Sequence, residues 1–492
     1  MNRQKTWHAT VVCFAVGMLS ALLLNGCMVG PNFHSPGANV PPAWAGVPQM
    51  PTGHPSMPTS QPAELTHWWQ KFNDPQLTAL VQQALNANLD LQLAVARLRQ
   101  ARAARGVVAG GLWPAVNSSA SYQRTNAAAA NSTVAVAHTY NLFQAGLDAM
   151  WELDIFGGIR RNVESANANI QAAQEGVRDA YVTLVAEVAL NYVQLSGFQQ
   201  QIAIAQNNLE AQQHTAEITR QRFVVGFVSG LDVANATALV ATTASQIPVL
   251  ETSARQAIYT LSVLLARPPD ALLQELSETQ PLPIIPPAVP VGLPSDLLRR
   301  RPDIQQAEAQ IHAAAAQIGV ATADLFPKFS LTGSLTYQNN LLHSFFAGAN
   351  HSWSFGPTMS WSIFQGGSIL SNIRVQEALR DQAFLTYQKT VLTALQDVEN
   401  ALIAFDKEWQ HYKALTEAVV ANRKAVDLSL QLYSQGQTDF LSVLVAELAL
   451  YNSENALVQS TQNTATDLIA IYKALGGGWE DEPSGGVALC CG

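Results

Sequence analysis

Two periodicities divide this chain. The first has period two. Phe143, Ala145, Leu147, Ala149, Trp151, Leu153 and Ile155 fall on one face, and Gln144, Gly146, Asp148, Met150, Glu152 and Asp154 on the other. Trp353, Phe355, Pro357, Met359, Trp361 and Ile363 alternate in the same way with Ser352, Ser354, Gly356, Thr358, Ser360 and Ser362. Phe329, Leu331, Leu335 and Tyr337 alternate with Ser330, Thr332, Ser334 and Thr336, and Val116 to Gln123 carries a weaker copy. Alternation with one apolar face predicts β-strands. Segments of ~10 residues with aromatic ends match transmembrane strands, apolar toward lipid and polar toward a lumen. Pro357 argues against a central strand of a soluble sheet, because it has no N–H for the ladder.

The second periodicity is helical. Arg160 to Val225 contains no proline and only Gly176 and Gly197, and Ser368 to Gln435 contains neither residue type. Val391, Leu395, Val398, Leu402, Phe405, Trp409 and Tyr412 recur by fours and threes, as in a coiled-coil seam. Val163, Ile170, Val177, Tyr181, Leu184, Val188, Tyr192 and Leu195 do much the same in the first stretch. At 1.5 Å per residue each stretch predicts a helix of about 100 Å. Shorter helices are expected over Asp74 to Val108 and Leu231 to Ala266 beside the first, and over Asp303 to Leu325 and Thr438 to Leu475 beside the second. The first pair sums to about one long helix, and stacked end to end each pair can run beside its long neighbour.

The two halves repeat each other. WELDIFGG (Trp151 to Gly158) is answered by WSIFQGG (Trp361 to Gly367), Leu112-Trp113-Pro114 by Leu325-Phe326-Pro327, and Gly226 by Gly436. The offset of roughly 210 residues marks a tandem duplication. Four strands cannot close a barrel, since the smallest have about 8, and an open edge in lipid leaves backbone groups unsatisfied. Copies of the chain must therefore share one barrel, as an eight-stranded dimer or a twelve-stranded trimer. The connectors Thr125 to His138 and Gln338 to His351 read as outward-facing loops.

Charge and chemistry narrow the function. Of 492 residues only 13% are charged and the net charge is −9, without the basic footprint of a nucleic-acid binder. Gly226 to Gly230 (GFVSG) has its serine displaced from a nucleophile elbow and joins two helices. His67, His214, His312, His343, His351 and His411 show no metal-ligand spacing, and Glu152 and Asp154 read as solvated charges on the lumen face. No enzyme, cofactor or metal is expected. Arg3 and Lys5 precede the apolar stretch Val11 to Leu24, the order of a secretory signal. Leu24-Asn25-Gly26-Cys27 then reads as a lipoprotein cleavage site, which would free Cys27 for acylation. A plain signal with an incidental cysteine is the other reading. Cys490 and Cys491 sit in a Gly-rich tail and make a poor disulfide framework.

These residues resemble the outer-membrane efflux proteins, the TolC-like outer-membrane factors, in their NodT-type lipoprotein branch. The resemblance rests on Gly26-Cys27-Met28-Val29-Gly30-Pro31; on Trp68-Trp69 through Phe72, Asp74-Pro75 and Leu77; on Arg300-Arg301-Pro302-Asp303-Ile304 with Ala307-Glu308; and on Ile318-Gly319-Val320 with Leu325-Phe326-Pro327. It implies a mainly α chain with membrane β-strands, assembled as a homotrimer with a twelve-stranded β-barrel on a twelve-helix periplasmic α-barrel. It also implies a lipid anchor at Cys27 in the bacterial outer membrane, Met28 standing where inner-membrane lipoproteins carry Asp. The partners implied are a periplasmic adaptor (membrane fusion) protein and an inner-membrane pump of the resistance-nodulation-division type. The function implied is passive export of small molecules such as drugs or toxic compounds.

The organisation expected is a lipoprotein signal peptide over 1–26, a lipid-anchored extended leader over 27–67, a first efflux repeat over 68–280, a Pro-rich linker over 281–295, a second repeat over 296–476 and a flexible tail over 477–492. By the family's pattern, the adaptor meets the helix tips at Val225, Gly226, Phe227, Gln435 and Gly436. The aperture positions fall on Asp232 and Asn235 in the first repeat and on Ser442 and Val445 in the second, with Asp439 beside them. One well-known member has two aspartates at the second-repeat positions, which this chain lacks. Asp232 fits a helix N-terminal carboxylate favoured by the macrodipole as well as it fits the aperture, and Asp439 fits the helix terminus better. The competing function is a periplasmic coiled-coil adaptor or scaffold lipoprotein without a pore. Such adaptors carry one helical hairpin and lipoyl-like β-domains, whereas this chain has two hairpins and amphipathic strands.

Overall fold

The computed structural model describes residues 28–46, 57–59, 65–127, 138–278, 281 and 288–479. In chain order the elements are β1 (Met57–Thr59), a 3₁₀ turn at Trp68–Phe72, α1 (Pro75–Ala87), α2 (Leu89–Gly110), β2 (Ala115–Ala127), β3 (His138–Leu153), α3 (Gly158–Val224) and α4 (Gly230–Leu264). They continue with β4 (Ala288–Pro290), α5 (Pro294–Arg300), α6 (Pro302–Ala323), β5 (Lys328–Asn339), β6 (His351–Ser360), α7 (Ser368–Ser434) and α8 (Phe440–Ala474). The duplication is written in the lengths. α2 and α6 have 22 residues each, α3 and α7 have 67, and α4 and α8 have 35.

Three expectations change at element ends. The helix expected over Asp74 to Val108 breaks at Asn88, which ends α1 in an extended conformation (ψ 135°) and accepts from Leu91 N at 2.9 Å to cap α2. Its side-chain amide also donates to the Leu264 carbonyl at 2.9 Å. Ile155 lies beyond β3, where its N–H turns back to Leu153 O at 2.8 Å. Trp361 and Ile363 lie beyond β6. The connector Gln338 to His351 is built on 3₁₀ turns at Leu342–Ser344 and Gly348–Asn350. Residues 128–137 of the other connector fall outside the described residues, as does Cys27.

The chain divides into two compact units. The first comprises Met1–Gly37, Arg97–Ala173 and Gln306–Tyr387. It holds an antiparallel sheet in the order β2-β3-β5-β6. Register aligns the alternating faces across all four strands. Leu147 pairs with Ser118 and Leu335, and Leu335 with Trp353; Ala149 pairs with Val116 and Gly333, and Gly333 with Phe355. Asp148, Ser334 and Ser354 line up on the opposite face. Among the described residues the outer edges of β2 and β6 have no strand partner.

The second unit comprises Ala38–Ala96, Gln174–Gln305 and Gln388–Gly492. Val185, Val188, Tyr192 and Leu195 of α3, Leu261 of α4, Leu402 and Phe405 of α7, and Leu468 and Tyr472 of α8 are all buried. Trp68 stacks on Tyr472 at 5.0 Å between ring centroids, and Asp74 caps α1 while accepting from the Tyr192 hydroxyl at 2.8 Å. Burial and that hydrogen bond push the Tyr192 phenol well above its ordinary range. The Pro-rich linker is more than a spacer, because Ala288–Pro290 pairs in parallel with Met57–Thr59. Trp479, within the span expected as tail, is held by two contacts. The Trp479 indole donates to Arg300 O at 3.1 Å, and the Arg178 guanidinium lies over its ring at 4.3 Å.

Candidate functional site: the paired helical tips

Residues Val225–Ser229 join α3 to α4, and Gln435–Asp439 join α7 to α8. Both turns close in the same way. Gly226 N donates to Phe223 O and Phe227 N to Arg222 O, each at 2.9 Å. Gly436 N donates to Tyr433 O at 3.0 Å and Gln437 N to Leu432 O at 2.9 Å. This is a Schellman-type stop, which needs a left-handed residue after the helix. Gly226 (φ 80°) and Gly436 (φ 72°) supply it. An added Cβ at either would meet nothing within 4 Å, so backbone angle and not crowding calls for glycine.

The following helices are capped by side chains. Ser229 Oγ accepts from Asp232 N at 3.3 Å, and Asp232 Oδ2 accepts from Ser229 N at 2.9 Å and from Ser229 Oγ at 2.8 Å. Asp439 Oδ1 accepts from Ser442 N at 3.2 Å and from Ser442 Oγ at 2.8 Å. Both aspartates therefore satisfy unpaired amide ends at helix starts. Asn235 is half-buried and Val445 is exposed; Val225, Gly226, Phe227, Gln435 and Gly436 are all exposed.

The two tips pack on each other. Ala236, Tyr433, Phe440 and Val443 form a buried cluster, flanked by Ile218, Val228, Leu430 and Leu444. Arg222 bolts one tip to the other. Its guanidinium donates to the Tyr433 carbonyl at 2.6 Å and lies over the Tyr433 ring at 4.5 Å. A cation at the last carbonyls of α7 is also where the helix dipole favours one. The sequence reading passed over Arg222, although a basic residue in the last turn of α3 was the signal available.

A cleft of ≈ 1150 Å³ beside this cluster is lined by Gln212, Thr215, Arg222, Tyr433, Glu447 and Leu450 among others. Glu447 is buried, which pushes its carboxyl up despite a hydrogen bond from Thr215 Oγ1 at 2.7 Å. Gln212 is buried with no partner for either amide atom among the described residues. Nothing in the sequence pattern flagged Glu447 or Gln212.

A second polar node sits in the same unit. Arg301 donates to Asp303 at 2.7 and 3.0 Å, to Asp397 Oδ2 at 3.2 Å and to the Ala474 carbonyl at 3.0 Å. Burial opposes its charge, but Asp303 and Asp397 outweigh it and hold its pKa above the usual value. Asp467 lines a separate cleft with Arg301, Asp303 and Asp397, and burial, helped by the Glu408 charge, pushes its pKa from 3.8 up to about 6. Folding therefore opposes ionisation of Asp467. Stability falls as pH rises from near 3.8 through about 6, and the loss is complete above that window. Asp467→Asn is expected to raise the thermal midpoint at pH 8 by about 2–4 °C and by much less at pH 4.5. Equal gains at both pH values would show that charge is not the cause.

Among the described residues no three His, Cys, Asp or Glu side chains gather as a metal site. The chain is similar to known proteins along most of its length. A family model described as outer membrane efflux protein matches residues 80–267 and 293–477. Nodulation protein T of Rhizobium leguminosarum bv. trifolii is 30% identical over 467 residues, covering 95% of this chain and 98% of that protein. The pyoverdine export outer membrane protein OpmQ of Pseudomonas aeruginosa is 33% identical over 434 residues, covering 86% of this chain and 90% of that protein. Among solved structures, the outer-membrane channel OprN matches with a TM-score of 0.85 and 37% identity, over 92% of this chain and 100% of that one. With both halves matched by that family model and a relative 33% identical over most of its length, the chain belongs to the outer membrane efflux protein family.

Proposed function

We propose that three copies of this chain close one twelve-stranded barrel in the outer membrane and one helical tunnel below it. The assembly is the passive outer conduit of a tripartite efflux system for small molecules such as drugs or toxic compounds. The observation that carries this reading is the open four-stranded sheet, apolar on one aligned face and unpaired at both edges among the described residues. In lipid such edges are tolerable only if neighbouring copies pair with them. Exposed Leu370, Leu379, Leu385 and Leu392 on α7, with Val249 and Val263 on α4, supply apolar helix surface for the same neighbours.

In this reading residues 1–26 leave as a signal peptide, Cys27 carries the lipid anchor, and the two efflux repeats span 68–280 and 296–476. The tips at Val225–Phe227 and Gln435–Gly436 meet a periplasmic adaptor fed by a resistance-nodulation-division pump. Purified protein is expected to run as a heat-resistant, detergent-stable trimer and to conduct single-channel current in planar bilayers. Monomers without conductance would return the reading to a periplasmic adaptor or scaffold lipoprotein. Mass spectrometry of the mature protein is expected to find acylated Cys27 at the N-terminus; any other unmodified first residue sinks the anchor.

Asp232 completes the reading of the aperture. Three symmetry-related carboxylates at the tunnel mouth repel one another, and bound cations relieve that repulsion. Asp232→Ala is expected to raise conductance or weaken block by divalent cations. Recordings that match wild type in both respects would leave Asp232 as the cap of α4 alone.

A further inference from the structure

The residues that follow Cys27 are clasped by the protein. Arg161, buried at 2% exposed, donates from Nε to Val29 O at 3.0 Å and from Nη2 to Asn32 Oδ1 at 2.8 Å and Gly30 O at 3.3 Å. Its Nη1 donates to Glu164 Oε2 at 2.7 Å. Val29 N donates to Phe156 O at 3.1 Å, and the Phe33 ring stacks on His312 at 4.4 Å. Two backbones meet where this segment crosses α6. A Cβ on Gly30 (φ +88°) would lie 2.4 Å from Gly319 Cα, and one on Gly319 would lie 2.8 Å from Arg161 Cγ and Cδ. A Cβ on Gly157 would lie 2.9 Å from Met28 Cα.

Removing the leader would strip the Arg161 side chain of three of its four acceptors and leave only its pair with Glu164. The cradle and the leader are therefore made for each other. The strand ends nearby carry exposed tryptophans in matching poses. The Trp151 indole donates to Leu112 O at 3.0 Å, and the Trp361 indole donates to Leu325 O at 3.1 Å. Exposed tryptophans with the N–H held are the side chains that settle at a membrane–water interface. Met28 packs on Gly157, a few residues beyond Trp151, and Cys27 is one Cα step of ~3.8 Å from Met28.

We infer that Arg161, Gly319 and Gly157 form a docking site for the lipopeptide head, residues 28–33, and that it sets the acyl chains at the tryptophan level of the sheet. The lipid part rests on the acylation of Cys27 proposed above. The test uses full-length protein from the outer membrane, with Cys490 and Cys491 replaced by Ser. The pair Phe33→Cys, His312→Cys is treated with dibromobimane, which fluoresces once both arms have reacted with thiols. Strong fluorescence is expected, falling several-fold when either Arg161→Ala or Gly30→Val is added. Gly30→Val alters only the leader, so its trimer yield should stay at the level of the pair alone. Fluorescence unchanged by both substitutions overturns the cradle, as does acylated protein that never bridges. Bridging in chains whose N-terminus proves unmodified overturns the lipid placement and the Cys27 reading with it.

Discussion

Leu147→Arg or Phe355→Arg is expected to remove most assembled protein from the outer membrane, whereas Ser354→Ala and Thr358→Ala leave it in place. The register decides this. Leu147, Leu335 and Trp353 form one cross-strand row on the apolar face, and Ala149, Gly333 and Phe355 form the next. An arginine there faces hydrocarbon at a cost of about 2–4 kcal/mol near the midplane, and a trimer would bear it three times. Ser354 lies one residue away on the other face, its hydroxyl 2.9 Å from that of Ser334. Losing that exposed hydrogen bond costs at most about 1 kcal/mol. Gel bands of heat-modifiable trimer in outer-membrane fractions read the difference. Similar losses from both pairs of substitutions would mean the assigned faces do not separate lipid from water.

What the sequence reveals here is local. Period-two alternation fixes which side of each strand a residue takes, and the observed register then aligns those sides across the sheet. Long runs without proline predict α7 to within a residue of its observed end at Ser434. The break at Asn88 escaped notice because neither proline nor glycine marks it. One asparagine ends a helix and caps the next, and the apolar pattern runs on through it.

The motif letters were visible without their reasons. Arg301 was singled out beside Asp303, but its bonds to Asp397 and the Ala474 carbonyl join positions far apart in sequence. Gly30 and Gly319 stood in two separate motifs, and only the folded chain shows that their backbones touch. The segment 281–295 is expected only as a Pro-rich linker, because proline favours extended, unpaired chain. Ala288 and Val289 nonetheless lie extended beside Met57 and Pro58. Each miss is a tertiary partner that spacing cannot encode.

The other large effect is expected at a tip. Gly436→Trp should abolish export while leaving outer-membrane trimers at wild-type abundance. Gly436 holds φ 72°, where a side chain costs roughly 1–2 kcal/mol. That strain is affordable, because the tip is secured below the turn by Tyr433, Phe440 and Val443 and by the Arg222 bond to the Tyr433 carbonyl. A side chain at 436 points into open space, so an indole there obstructs nothing within the chain. What it does obstruct is the face of the tip, where the adaptor is proposed to dock. Gly436→Asn separates strain from obstruction, since asparagine tolerates the left-handed region and is small. Export should survive Gly436→Asn and fail in Gly436→Trp, scored as resistance of a deletion strain complemented with each variant. If both variants export normally, the adaptor does not sit on this turn. If both fail, the turn's geometry rather than its exposed face is what export needs.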